Sequence, residues 1–66
     1  MMFSVKKFRA LLADRGYSVK GFSEACGISQ TAISQILNHG KRPTLPTIGK
    51  FAKALNVSAA DLLTDE

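Results

Sequence analysis

Four uncharged polar residues in the middle of the chain have the types and spacing needed to read the edges of DNA bases. They fall at intervals of one, three and one residues, which places them on one exposed face of a helix: Gln30, Thr31, Ser34 and Gln35. Each side chain both donates and accepts hydrogen bonds without carrying a charge. A glutamine amide can bond N6 and N7 of adenine, and a threonine methyl can contact the methyl group of thymine. On an isolated helix the same residues would be read as a solvated surface.

The neighbouring sequence favours the base-reading interpretation, because it predicts two short helices joined by a tight turn over residues 19–38. Gly27 suits the turn, since glycine takes a left-handed backbone conformation without steric cost. Ser29 is a candidate N-cap for the second helix, which should run over residues 30–37. Apolar residues on both helices can then face inward: Phe22, Cys26, Ile28, Ile33 and Ile36.

The rest of the chain predicts further helices and no strand, hence an all-α fold of five helices in one domain covering residues 1–66. Helix 1 should occupy residues 4–15, with Ser4 as its N-cap, and Ser18 should cap helix 2. Thr44 should cap helix 4, and helix 5 should be short. Helical spacing gives helix 4 a predicted buried stripe: Leu45, Ile48, Phe51, Ala52 and Leu55.

Composition limits the classes of function. The chain has 66 residues, 45% of them hydrophobic, and one cysteine. These values indicate one small folded core, without an intramolecular disulfide or a Cys-rich zinc site. No apolar run approaches the roughly 20 residues of a membrane span, and a signal peptide is not expected, so the cytoplasm is the expected location. No carboxylate pair, nucleophile–base set or metal-ligand cluster indicates an enzyme, a cofactor or a metal site.

The charge distribution favours a polyanionic partner. The net charge is +4, and the segment between Glu24 and Asp61 contains basic but no acidic residues. Pro43 disfavours helix at the preceding residue, so a short extended loop should present Lys41 and Arg42 as phosphate contacts. Neutral side chains near the helix ends are further candidates for phosphate contacts: Ser18, Ser29 and Asn38. A lone histidine, His39, is expected to touch a phosphate or solvent.

Three segments together resemble the lambdoid-phage repressor and Cro family: LLADRGYS, GISQTAISQILN and GKRPTLPTIGKFAKALNVSAADLL. The resemblance implies a DNA-binding repressor, in which Gln30, Thr31 and Gln35 match base-contacting positions. The chain also departs from the family at three places. Val19 replaces a frequent phosphate-binding glutamine, and Ser23 replaces a frequent alanine, where its hydroxyl could bond back into its own helix. Leu37 stands where many members are polar.

The expected partner is a double-stranded, pseudo-palindromic operator bound by a homodimer, which could form only on DNA. The candidate dimer surface comprises the loop after Gly40 together with Leu37, Leu62 and Leu63. No membrane or small-molecule ligand is expected. The alternative function is a protein-interaction module of the antitoxin or anti-repressor type, and salt-sensitive binding to one DNA sequence would separate the two. RNA binding is a weaker third, because no exposed aromatic platform for stacking bases is evident.

Overall fold

A hydroxyl side chain caps the start of each α-helix in the computed structural model, which describes residues 2–64. The helices are α1 (Val5–Asp14), α2 (Val19–Cys26), α3 (Gln30–Asn38) and α4 (Leu45–Leu55). Before each helix, a side-chain oxygen accepts a hydrogen bond from the backbone N–H three residues ahead, at 3.0 to 3.4 Å. The predicted caps are therefore confirmed: Ser4, Ser18, Ser29 and Thr44.

The predicted fifth α-helix is instead a 3-10 helix, Ala59–Leu62. The prediction of five α-helices was therefore wrong, and residues 2–64 contain four α-helices and this single 3-10 turn. Four residues are too few for a regular run of α-helical hydrogen bonds, whereas the tighter 3-10 pattern closes over three. The carboxylate of Asp61 accepts from the backbone N–H of Ser58 at 3.2 Å, which gives a donor at the start of this turn a partner.

Two very short strands join the ends of the described chain. Strands β1 (Met2–Phe3) and β2 (Leu63–Thr64) pair antiparallel, with Phe3 opposite Leu63. The backbone N–H of Ser4 extends the pairing by donating to the Leu62 carbonyl at 2.7 Å. The sequence analysis predicted no strand, and this prediction was wrong. A two-residue strand is too short to show the alternation of polar and apolar residues by which strands are recognised. The pairing holds the two ends of the described part of the chain, residues 2–3 and 63–64, beside each other.

An aromatic cluster from three different helices forms the centre of the core. The rings of Phe8 and Phe51 stack at 4.7 Å, and the Phe22 ring lies 5.5 Å from each of them. All three side chains are fully buried. Ile33 and Ile36 bring α3 onto this cluster and are also buried, as predicted. The core thus fixes which face of α3 points outward.

Two leucines occupy environments opposite to those expected. Leu45 is 80% exposed, although the rest of the predicted α4 stripe is buried. It is the first residue of α4, before the helix turns its apolar side onto the core. Leu62 is fully buried among core residues, so its assignment to a dimer surface was wrong. Leu37 and Leu63 are half-buried and pack against the core. Within residues 2–64, no helix combines the length and hydropathy needed to cross a bilayer.

Candidate nucleic-acid interface

The turn between α2 and α3 is held by hydrogen bonds on both sides of Gly27. Gly27 has the left-handed conformation predicted for it, with φ of 75°, and its N–H donates to the Ser23 carbonyl at 2.9 Å. The Ser23 hydroxyl then donates to the Ile28 carbonyl oxygen at 2.6 Å. This side chain therefore bonds across the turn and not back into its own helix. The two bonds fix the direction in which α3 leaves the turn.

The outward face of α3 forms part of the lining of an open depression of about 480 Å³. Its lining contains all four residues predicted to read bases, Gln30, Thr31, Ser34 and Gln35, together with Val19 and His39. We call this surface the recognition depression. Because Val19 is the first residue of α2, the N-terminus of α2 lies directly beside the exposed face of α3. Sequence reasoning treated Val19 only as a lost phosphate contact and missed its place here, which follows from packing between the two helices.

Two hydrogen bonds link this face to residues predicted as phosphate contacts. The Asn38 amide Nδ2 donates to the Ser34 Oγ at 3.4 Å. The Lys41 ammonium Nζ donates to the Gln35 Oε1 at 3.3 Å. Residues predicted to read bases and residues predicted to bind phosphates are therefore in contact, although the sequence separates Gln35 from Lys41 by six positions.

The loop after α3 turns sharply back toward the helix. Gly40 has a φ of 68°, in the left-handed region that favours glycine. The Gln35 carbonyl accepts from the backbone N–H groups of His39, at 2.9 Å, and of Lys41, at 3.2 Å. The loop beyond has no helical structure, as Pro43 predicts, and Lys41 and Arg42 are both exposed. Two cations are thus held at the C-terminal end of α3.

A second depression, of about 550 Å³, is lined in part by this loop. Its apolar lining includes Met2, Phe3, Val5, Leu45, Ile48 and Leu63, and Lys41 and Arg42 also line it. We call it the apolar groove. It contains the two large hydrophobic side chains that are exposed in the described chain, Leu45 at 80% and Met2 at 45%. Of the leucines expected on a dimer surface, only Leu63 is among its lining residues.

The remaining phosphate candidates sit at helix N-termini. Ser18 and Ser29 are exposed, and each uses its Oγ to accept a backbone N–H, at 3.0 and 3.1 Å. Their hydroxyl hydrogens can still be donated, and the partial positive charge of a helix N-terminus favours an anion beside them. In the described part of the chain, no group of three or more His, Cys, Asp and Glu side chains is placed to hold a metal ion.

Three comparisons with known proteins agree on the family. The HTH_3 helix-turn-helix profile matches residues 8–62. A Bacillus subtilis (strain 168) protein, "Uncharacterized HTH-type transcriptional regulator YazB", is 33% identical over 61 residues, which are 92% of this chain and 88% of that protein. The fold is also similar to the crystal structure of an HTH_3 family transcriptional regulator from Vibrio cholerae, with a TM-score of 0.82 and 26% identity.

The structural alignment covers 88% of this chain but 33% of the Vibrio cholerae chain, so this chain spans about a third of that protein's length. The profile match includes the whole of α2, the turn and α3, where the recognition depression lies. The resemblance to the repressor and Cro type of helix-turn-helix protein is confirmed at the level of the family. The chain belongs to the HTH_3 helix-turn-helix family.

Proposed function

We propose that this protein binds a specific double-stranded DNA sequence with α3 in the major groove and thereby regulates transcription. The observation that carries the proposal is the recognition depression, in which four uncharged side chains able to donate and accept hydrogen bonds line one open surface. A B-DNA major groove, about 12 Å wide, admits an α-helix. Membership in the helix-turn-helix family, with relatives named as transcriptional regulators, supports the same conclusion.

In this proposal Gln30, Thr31 and Gln35 contact base edges, with Ser34 beside them. Gln30 and Thr31 are exposed in the first turn of α3, the end of a recognition helix that enters the groove most deeply in this type of protein. The Thr31 methyl supplies an apolar contact for a thymine methyl, and Gln30 supplies amide hydrogen bonds. Val19, also in the depression, adds a second apolar surface next to α3.

The proposed backbone contacts surround this face. Lys41 and Arg42 supply positive charge at the C-terminal end of α3, where both are exposed. Ser18 and Ser29 supply hydroxyl groups at the N-termini of α2 and α3, and Asn38 supplies an amide. Contacts of this kind fix the register of a protein on the duplex, and the base contacts then choose the sequence.

We propose that the regulatory effect is repression by steric overlap. The structure measures 29 × 23 × 20 Å, so a protomer or dimer bound within a promoter would cover duplex that polymerase also has to contact. A reporter gene placed behind the selected operator tests the sign of regulation. Reporter output should fall when the protein is expressed, and a rise would reverse the assignment to an activator.

The proposed working unit is a homodimer that pairs through the apolar groove. One recognition helix reads only a few base pairs, and a two-fold dimer doubles them, with half-sites about 34 Å apart. Leu45 and Met2 in the groove are exposed apolar groups that a second copy would cover. Lys41 and Arg42 also line the groove, so like charges from two copies oppose pairing until phosphates neutralise them. Pairing should therefore be favoured on DNA.

The DNA-binding proposal is tested by selecting duplexes from a random pool and then measuring affinity against salt concentration. The expected result is a single enriched sequence, for which the logarithm of the binding constant falls linearly with the logarithm of the salt concentration. Binding that does not distinguish the enriched duplex from a scrambled duplex would overturn the proposal. The apolar groove would then favour the second candidate, a protein-interaction module of the antitoxin or anti-repressor type, since an exposed apolar groove also suits a protein partner.

A further inference from the structure

Building on the DNA-binding function proposed above, we infer that Lys41 orients the Gln35 amide so that the pair selects guanine at the base it reads. The Lys41 Nζ lies 3.3 Å from the Gln35 Oε1. An ammonium group has hydrogen-bond donors and no acceptor, so the amide must turn its oxygen toward it. The NH2 group of Gln35 is then the end left for DNA.

The surroundings of the two residues support this orientation. Gln35 lines the recognition depression, whereas Lys41 is not part of that lining and lines the apolar groove instead. The Gln35 amide oxygen is therefore directed toward Lys41. The NH2 group is then the end of the amide available to the depression, where the bases of a bound duplex would lie. Gln35 acts there as a donor, not as the donor–acceptor pair that an unrestrained glutamine offers.

The backbone holds the two residues together independently of their side chains. The Lys41 N–H donates to the Gln35 carbonyl at 3.2 Å, and Gly40, with φ of 68°, makes the reversal that this bond requires. The backbone of Lys41 is therefore held beside Gln35, and the lysine side chain extends from that position. A bond between exposed groups is weak in water, but it strengthens when a duplex excludes water from it.

The donor arrangement matches one base better than the others. Guanine presents two acceptors in the major groove, N7 and O6, whereas adenine presents one acceptor and one donor. The Gln35 NH2 group, held as a donor by Lys41, can bond either acceptor of guanine, whereas at adenine it would meet the N6 donor beside the single acceptor N7. A free glutamine would instead prefer adenine, since it bonds N7 and N6 together. Lys41 is on this view a specificity-determining residue as well as a phosphate contact.

The test compares Lys41→Met with Arg42→Met on a set of duplexes that carry each of the four bases at every position of the selected site. The parent should prefer guanine over adenine at one position by on the order of tenfold. Lys41→Met should lose or reverse that preference and leave the other positions ranked as before. Arg42→Met removes the neighbouring cation and should lower affinity for all duplexes by one common factor.

Two further measurements separate the inference from the function on which it rests. In Gln35→Ala, adding Lys41→Met should cause no further change in base preference, because the two residues act as one unit. In the protein without DNA, the NMR signal of the Gln35 side-chain NH2 should shift in Lys41→Met and stay in place in Arg42→Met. A parent that selects no duplex would overturn the proposed function and this inference with it. A parent that selects a site, with Lys41→Met ranking the duplexes as the parent does, would overturn the inference alone.

Discussion

The Ser23 hydroxyl donates a 2.6 Å hydrogen bond to the carbonyl oxygen of Ile28, five residues ahead. This bond ties the last turn of α2 to the turn that follows Gly27, and both partners are partly buried. An alanine at this position would leave the carbonyl oxygen without this donor. The direction of α3, and with it the recognition depression, therefore depends in part on a side chain that is not among the residues lining the depression.

Replacing Ser23 by alanine should lower the free energy of unfolding by about 1 kcal/mol, because a partly buried carbonyl loses its donor. Urea denaturation followed by circular dichroism measures the change. Ser34→Ala is the matched control, since the Ser34 hydroxyl takes part only in an exposed 3.4 Å bond with Asn38. That control should stay within about 0.5 kcal/mol of the parent. Equal losses in the two variants would contradict the assigned role of the Ser23 bond.

The local features of this fold were predictable from the sequence because they depend on neighbouring residues. Each of the four N-caps depends on a side chain that bonds to a backbone N–H three residues ahead. The turn at Gly27 depends on the left-handed conformation of that glycine. Helical spacing likewise identified Phe22, Ile33 and Ile36 as inward-facing residues, all of which are buried. Helix and core assignments of this kind need no knowledge of distant contacts.

The features that sequence reasoning missed depend on distant parts of the chain. Leu62 is buried because the 3-10 helix packs against α4, and β1 pairs with β2 across about 60 residues of sequence. Leu45 is exposed because it precedes the point where α4 meets the core. The contact between Lys41 and Gln35 arises from the reversal at Gly40, which a helical pattern cannot reveal. The roles proposed for residues at the interface remain predictions that the following experiments test.

Two glycine substitutions should change stability in opposite directions. Gly40→Ala places a side chain at a φ of 68°, where the left-handed conformation costs about 1–2 kcal/mol, so the free energy of unfolding should fall by about that amount. Gly49→Ala lies within α4, and an added Cβ there meets nothing within 4 Å. It should raise the free energy of unfolding by about 0.8–1 kcal/mol, because alanine favours a helix. Thermal unfolding of both variants measures the difference, and a stabilising Gly40→Ala would contradict the loop geometry.

Phosphate and base contacts should separate in binding measurements. Arg42→Ala should weaken binding to all duplexes alike and reduce the slope of log affinity against log salt concentration by about 1. Gln30→Ala should instead relax the preference at particular base pairs, by roughly 1–3 kcal/mol, with the salt slope unchanged. Fluorescence anisotropy at several salt concentrations gives both quantities. If Gln30→Ala left the ranking of duplexes unchanged, the first turn of α3 would not be the base-reading end.

The apolar groove should be needed for pairing on DNA but not for folding. Leu45 is 80% exposed, so Leu45→Gln should change the free energy of unfolding by less than about 0.5 kcal/mol. The parent should sediment with the full operator as two protomers per duplex. The variant should bind an isolated half-site with parental affinity but lose the cooperative second protomer, because the groove no longer offers an apolar surface for the partner.

Ala10→Gln provides the matched control for this experiment, because Ala10 is exposed on α1 and lines neither depression. It introduces the same polar side chain away from the groove, so its complex should keep two protomers. If Leu45→Gln also kept two protomers with parental cooperativity, the groove would not be the interface and the dimer would have to form elsewhere. One parental protomer on a selected site without symmetry would contradict the dimer itself. Sedimentation of these three proteins with full and half operators therefore tests the existence of the dimer and its location separately.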